Sequence, residues 1–179
     1  MMKNNTKAKD VATVGMMIAV VEACKFAFAQ LPNIELTSFF IIMFTIYFGA
    51  KTLFAIPAII IIEALFYGFE IMWVIAYCYV WPLLFLFAML LRRFRSVLSM
   101  TLFSGFFGFA FGFLCSFPYL FVSTATNPTA GLTSAIAYWI AGIPFDIIHG
   151  VSNFIIMAAL YIPVSKIFER IVLVQNSNK

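Results

Sequence analysis

The chain has 179 residues, of which 64% are hydrophobic and 10% charged, with a formal net charge of +4. Its mean hydropathy of +1.06 excludes a water-covered globular surface, since soluble domains carry roughly 25% charged residues. Nor does the positive balance point to nucleic acid. The charges stand in short clusters beside apolar runs, where lipid headgroups and topology signals place them.

At about 20 residues per crossing, the apolar segments account for nearly the whole chain. The expected fold is an all-α integral membrane protein, a compact bundle of about six transmembrane helices. It forms one domain over residues 1–179, with short tails near 1–9 and 170–179. No soluble catalytic or nucleotide-binding domain fits beside it, so energy for transport would come from a partner or an ion gradient.

Span one is expected at Val11–Gln30. Lys3, Lys7 and Lys9 precede it and Ala27-Phe28-Ala29 resembles a signal-peptide cleavage site, but Glu22 and Lys25 interrupt the apolar region and favour an uncleaved helix. Span two, Ser38–Phe48, is short. Span three runs Lys51–Tyr67, span four Met72–Leu91 and span five Val97–Val122. Between spans five and six, the polar stretch Ser123–Gly131 has the composition of a flexible gate. Span six, Ser134–Phe168, is longer than one crossing needs. Ala141-Gly142-Ile143-Pro144 is expected to break it, with the main helix starting at Pro144 because proline suits a first turn.

Under this assignment ten of the eleven Lys and Arg residues fall on one side. They are Lys3, Lys7, Lys9, Lys51, Arg92, Arg93, Arg95, Lys166, Arg170 and Lys179; the opposite loops carry only Glu35 and Glu70. By the positive-inside rule both termini are expected in the cytoplasm of a multi-pass cell-membrane protein. Trp73, Tyr77, Tyr79 and Trp81 suit an interfacial anchor near span four.

Ionisable groups within apolar spans cost several kcal/mol unless paired or hydrated, so they are candidates for function. Here they are Glu22, Lys25, Glu63, Asp146 and His149. The orientation places Lys25 and Glu63 in outer halves, so these groups are expected to converge on one outward-opening polar cavity. Asp146, His149 and Asn153 follow a three-then-four spacing that stacks them on one helical face, able to contact a ligand or to pair with Lys25. A structural alternative is that the cluster only ties span six to span one, with Glu22 and Lys25 neutralising each other locally.

Two ladders of small residues stand out: Gly15, Ala19, Ala23 and Ala27 in span one, and Ser104, Gly108, Gly112 and Ser116 in span five. Small side chains let helices approach closely where the hydrophobic effect does not drive association. The second is expected to serve packing within the chain. Cys24, Cys78 and Cys115 sit in separate apolar segments without metal-type spacing and read as packing residues. No metal site is expected. Nucleotide-binding, serine-hydrolase and zinc-protease motifs are absent. An intramembrane hydrolase, with Glu63 activating water and His149 assisting, is one alternative; a structural membrane subunit is the other.

This pattern resembles the substrate-binding S components of energy-coupling factor (ECF) vitamin transporters over nearly the whole chain. The specific parts are the span-one ladder, the Leu31-Pro32-Asn33-Ile34-Glu35-Leu36-Thr37-Ser38 loop, the Tyr47-Phe48-Gly49-Ala50-Lys51 turn and the Gly142–His149 stretch. The resemblance implies a vitamin or related micronutrient bound near the outer face. It also implies a transmembrane coupling protein and two cytoplasmic ATPases as partners; ATP is used by those partners, and this chain binds no cofactor. Ala19 and Ala23 match the family's coupling-protein motif, extended by Gly15 and Ala27, and the pocket-closing loops correspond to Pro32–Ser38, Gly68–Trp73 and Ser123–Gly131. Ligand contacts differ between family members and do not transfer residue by residue; the candidate contacts in this chain are Glu22, Lys25, Asn33, Glu63, Trp73, Asp146, His149 and Asn153, with Asp146, His149 and Asn153 chosen by depth and spacing.

Overall fold

The computed structural model describes residues 3–126 and 130–177. Among these it has seven α-helices: α1 (Lys3–Phe28), α2 (Thr37–Phe48), α3 (Lys51–Tyr67), α4 (Ile71–Leu91), α5 (Val97–Cys115), α6 (Phe117–Thr126) and α7 (Ala130–Ser177). Four stretches are long and apolar enough to cross a membrane: Lys7–Phe28, Ile71–Leu91, Val97–Val122 and Ala130–Gln175. Large apolar side chains such as Phe54, Leu65 and Phe106 stand 73–79% exposed on the outside, a surface suited to lipid and not to water.

The chain winds around α2. Of its 12 residues, all but Tyr47 are buried, as expected of a helix that is hydrophobic all round. It packs against α1, α3, α4, α5 and α7. At about 1.5 Å per residue it is only about 18 Å long, well short of a hydrocarbon core of about 30 Å. The 29–36 connection before it is exposed from Ala29 to Asn33 and turns inward at its end, where Ile34 and Glu35 are half-buried and Leu36 is buried. Gly49, at φ 61°, ends the helix and starts the turn into α3.

The ends of the bundle differ. At one end Lys51 Nζ pairs with Asp10 Oδ1 at 2.6 Å, Arg95 reaches the Ile46 carbonyl, and Tyr161 Oη donates to the Arg95 carbonyl. Phe168 closes this end against Phe44, Tyr47 and Phe48. These contacts gather the α1 start, the α2–α3 and α4–α5 turns and the end of α7, which carry the basic residues. The opposite end holds Glu35 and Glu70. Glu70 caps α4, accepting from the backbone N–H groups of Met72 and Trp73 at 3.1 and 3.0 Å.

Span five keeps its expected bounds, Val97–Val122, but is interrupted at Ser116 into α5 and α6, where Pro118 supplies no N–H to the Leu114 carbonyl. Tyr79 Oη donates to that freed carbonyl instead. The expected break at Gly142–Pro144 does not occur: α7 runs continuously from Ala130 to Ser177. Pro144 costs one backbone hydrogen bond, tolerable where neighbouring helices hold the segment. Stacking of Tyr119 on Tyr138 at 4.3 Å and packing of Phe113 against Trp139 do so here. The Ser123–Gly131 gate is also shorter than expected, since α6 extends to Thr126 and α7 begins at Ala130. Asn127, Pro128 and Thr129 lie outside the described residues.

The span-five ladder does what its spacing implies. Ser104, Gly108, Gly112 and Ser116 are buried, and α7 lies against α5. A Cβ at Gly108 would sit 2.8 Å from Gly150 Cα, and one at Gly112 would strike the Asp146 carboxylate. Gly108→Ala is expected to lower the melting temperature of the detergent-purified protein, with a cost of about 1–3 kcal/mol from overpacking. Gly142→Ala, where nothing lies within 4 Å of the added Cβ, should be neutral or stabilising. Equal melting temperatures for the two variants would contradict the α5–α7 approach.

Candidate functional site

Above the short α2, where its flanking loop dips inward, the bundle encloses a cavity of about 380 Å³. Its polar lining comes from four elements: Lys25 near the end of α1, Asn33 and Glu35 from the 29–36 loop, Glu63 on α3 and His149 on α7. Its walls are aromatic: Phe28, Tyr67, Trp73, Tyr77 and Phe111. The cavity opens at the end away from the basic residues.

Lys25 is the hub. Its Nζ lies 2.6 Å from Glu63 Oε1 and 3.3 Å from Glu35 Oε2, and 5.6 Å over the Tyr77 ring. Thr37 Oγ1 donates to the same Glu35 oxygen at 3.1 Å. The other, Glu35 Oε1, faces His149 Nε2 at 3.8 Å, too long for a hydrogen bond. His149 is 3% exposed, and its Nε2 has no hydrogen-bond partner within the protein. Its ring meets the edge of Phe111 at 4.7 Å. Burial raises the Glu35 carboxyl, but the Lys25 ammonium and the hydrogen bonds from Lys25 and Thr37 outweigh it and hold it below the ordinary value.

The loop that carries Glu35 has an unusual backbone. Asn33 has φ 60°, a left-handed conformation that asparagine adopts more readily than other side chains. Its carbonyl accepts from Ser152 Oγ at 3.2 Å, and Ser152 also donates to the His149 carbonyl. One serine thus ties the loop to the α7 turn that presents His149.

Five of the eight sequence candidates line the cavity: Lys25, Asn33, Glu63, Trp73 and His149. Glu22 is buried outside the lining, with its Oε1 unpartnered, and Lys25 pairs with Glu63 and Glu35 rather than with it. Asp146 and Asn153 share a face of α7 with His149 but turn to α5. Asp146 Oδ1 accepts the Gly112 N–H at 2.8 Å, and Asn153 Nδ2 reaches the Ser104 carbonyl at 3.5 Å. The ladder on α5 leaves room for these two side chains, so they serve the helix contact and not the cavity.

Glu35 and Tyr77 were missed as site residues. Glu35 reads as an outer-loop charge and Tyr77 as a membrane anchor. The available signals were the shortness of α2, which draws its loop inward, and the spacing of Trp73, Tyr77 and Trp81, which places them on one helical face. These three rings form an edge-to-face run at 5.2 Å per step. The span-one ladder lies elsewhere: Gly15, Ala19, Ala23 and Ala27 are all exposed, on the side of α1 away from the bundle.

Lys25→Met should destabilise the fold by about 3–5 kcal/mol, because it leaves two carboxylates without their counter-ion; denaturation of the purified protein measures this. The depressed Glu35 carboxyl contributes stability that is fully present above its unfolded value, near 4.5, and is lost as pH falls through the lower folded value. The melting-temperature gap between wild type and Glu35→Gln should therefore be widest near neutrality and close on acidification. No protein-family model, curated protein or solved structure matches this chain, so the reading of the cavity rests on its residues and their geometry.

Proposed function

We propose that this chain is the substrate-capturing subunit of an importer of the energy-coupling factor type. In this reading α5 and α6 form one kinked span, giving six crossings in all. The basic end faces the cytoplasm together with both termini, as the positive-inside rule directs, and the cavity opens outward. A vitamin or related micronutrient binds there. The observation that carries the reading is the aromatic-walled cavity, in which His149 presents a buried, unpartnered nitrogen beside the Lys25 network. A volume of about 380 Å³ sits at the small end of ordinary ligand pockets, about 300–1,000 Å³.

The partners in this proposal are a transmembrane coupling protein and two ATPases, which hydrolyse ATP to drive uptake. The exposed ladder of Gly15, Ala19, Ala23 and Ala27 supplies a surface on which another membrane helix can pack closely. A hydrolase remains the alternative, since Glu63 and His149 line the same cavity. It is the weaker reading. Glu63 Oε1 is already engaged in an ion pair with the Lys25 ammonium at 2.6 Å, a contact that general-base attack on water would have to give up.

Mass spectrometry of the detergent-extracted protein should find a co-purifying small molecule, retained by wild type and lost when His149 is replaced by Phe. An empty cavity under conditions of active uptake would overturn the capture reading. Replacing both Ala19 and Ala23 with Leu should abolish co-purification of the coupling protein and reduce uptake at least ten-fold, while leaving ligand retention intact. Undiminished association would show that the docking face is elsewhere.

A further inference from the structure

The cavity lining holds more acidic groups than basic ones. Lys25 supplies one ammonium against the two carboxylates of Glu35 and Glu63. His149 does not cancel the second, since its Nε2 stands 3.8 Å from Glu35 Oε1, beyond the contact an imbedded imidazolium makes with a carboxylate. With His149 neutral, the lining offers two carboxyl groups and an imidazole nitrogen to a single ammonium, an excess of acceptors over donors.

The ammonium is also already engaged. Lys25 Nζ contacts both carboxylates and lies over the Tyr77 face. An anionic ligand would have to displace one of these carboxylates, leaving it buried without a counter-ion, a cost of several kcal/mol. Glu35, by contrast, spends Oε2 on Lys25 and Thr37 and turns Oε1 toward the gap before His149. A donor group placed in that gap meets a carboxylate oxygen and the unpartnered imidazole nitrogen together. Trp73 and Tyr77 line the same cavity, and aromatic rings attract cations more strongly once water is excluded.

We infer that the cavity selects a cation: a small ring compound carrying one positively charged, N–H-bearing group, held at Glu35 with its body against the aromatic wall. This rests on the capture reading above and narrows it to one charge class. The anionic vitamins are thereby disfavoured, and so are ligands of dinucleotide size, which exceed the cavity.

The test uses the full-length, detergent-purified chain near neutral pH and three probes that share one ring and differ in charge: benzamidinium, benzamide and benzoate. Binding is read by tryptophan fluorescence and by thermal shift. Benzamidinium should bind about ten-fold or more tighter than benzamide, and benzoate more weakly than either. Glu35→Gln should reduce the ratio of benzamidinium to benzamide affinity about ten-fold; the ratio within the variant is the readout, so a loss shared by both probes does not count toward it. If that variant does not fold, the wild-type series decides alone. Benzoate binding as tightly as benzamidinium, or a preference unchanged in the Gln variant, would overturn the inference. A neutral or anionic co-purifying molecule would overturn it while leaving the capture reading standing. No co-purifying molecule and no binding of any probe would overturn both.

Discussion

One ammonium inside an apolar bundle constrains much of this structure. Lys25 lies within the long apolar helix α1, where an unpaired charge costs several kcal/mol. Its pairing reaches across three elements, to Glu63 on α3 and to Glu35 in the loop before α2. The second contact has the larger consequence. It draws the end of the 29–36 loop against the bundle, with Asn33 in a left-handed turn and its carbonyl tied to Ser152. A loop at that depth above a helix only 12 residues long leaves the space that becomes the cavity.

The remaining packing keeps that space open on one side. On α5, glycines at 105, 108 and 112 let α7 approach to backbone distance, and Asp146 and Asn153 occupy the room so made. His149, between them in sequence, is thereby turned past Phe111 toward the cavity. At the far end Phe168 and the aromatic residues of α2 fill the centre. The bundle is thus closed by apolar packing at its basic end and by a charged network at the other. A network of that kind can exchange one internal contact for a ligand contact more readily than a packed aromatic cluster can.

Prolines show where local signals mislead. Pro118 bends the fifth apolar run because Tyr79 offers its hydroxyl to the carbonyl left over. Pro144, preceded by glycine two residues earlier, looks like a stronger breaker, yet α7 passes through it. Aromatic contacts from α5 and α6 hold Trp139 and Tyr138 before the proline, and Asp146 accepts the Gly112 N–H after it. The difference lies in the surroundings of each proline and not in its own sequence context.

Composition and the placement of apolar runs determine by themselves that this is an all-helical, membrane-suited chain, because no other solvent accommodates its surface. They also single out Lys25, Glu63 and His149, since an ionisable side chain in an apolar run demands a reason wherever the run is placed. Helical spacing correctly groups Asp146, His149 and Asn153 on one face, but a face of about 100° can serve two neighbours at once. Only the tertiary structure decided that His149 meets the cavity while the other two meet α5. It alone brought Glu35 inward as a partner of Lys25, because that depends on how far a short helix leaves its loop from the membrane surface. Charge pairing across such distances along the chain is a property of packed elements, and no local pattern in the sequence encodes it.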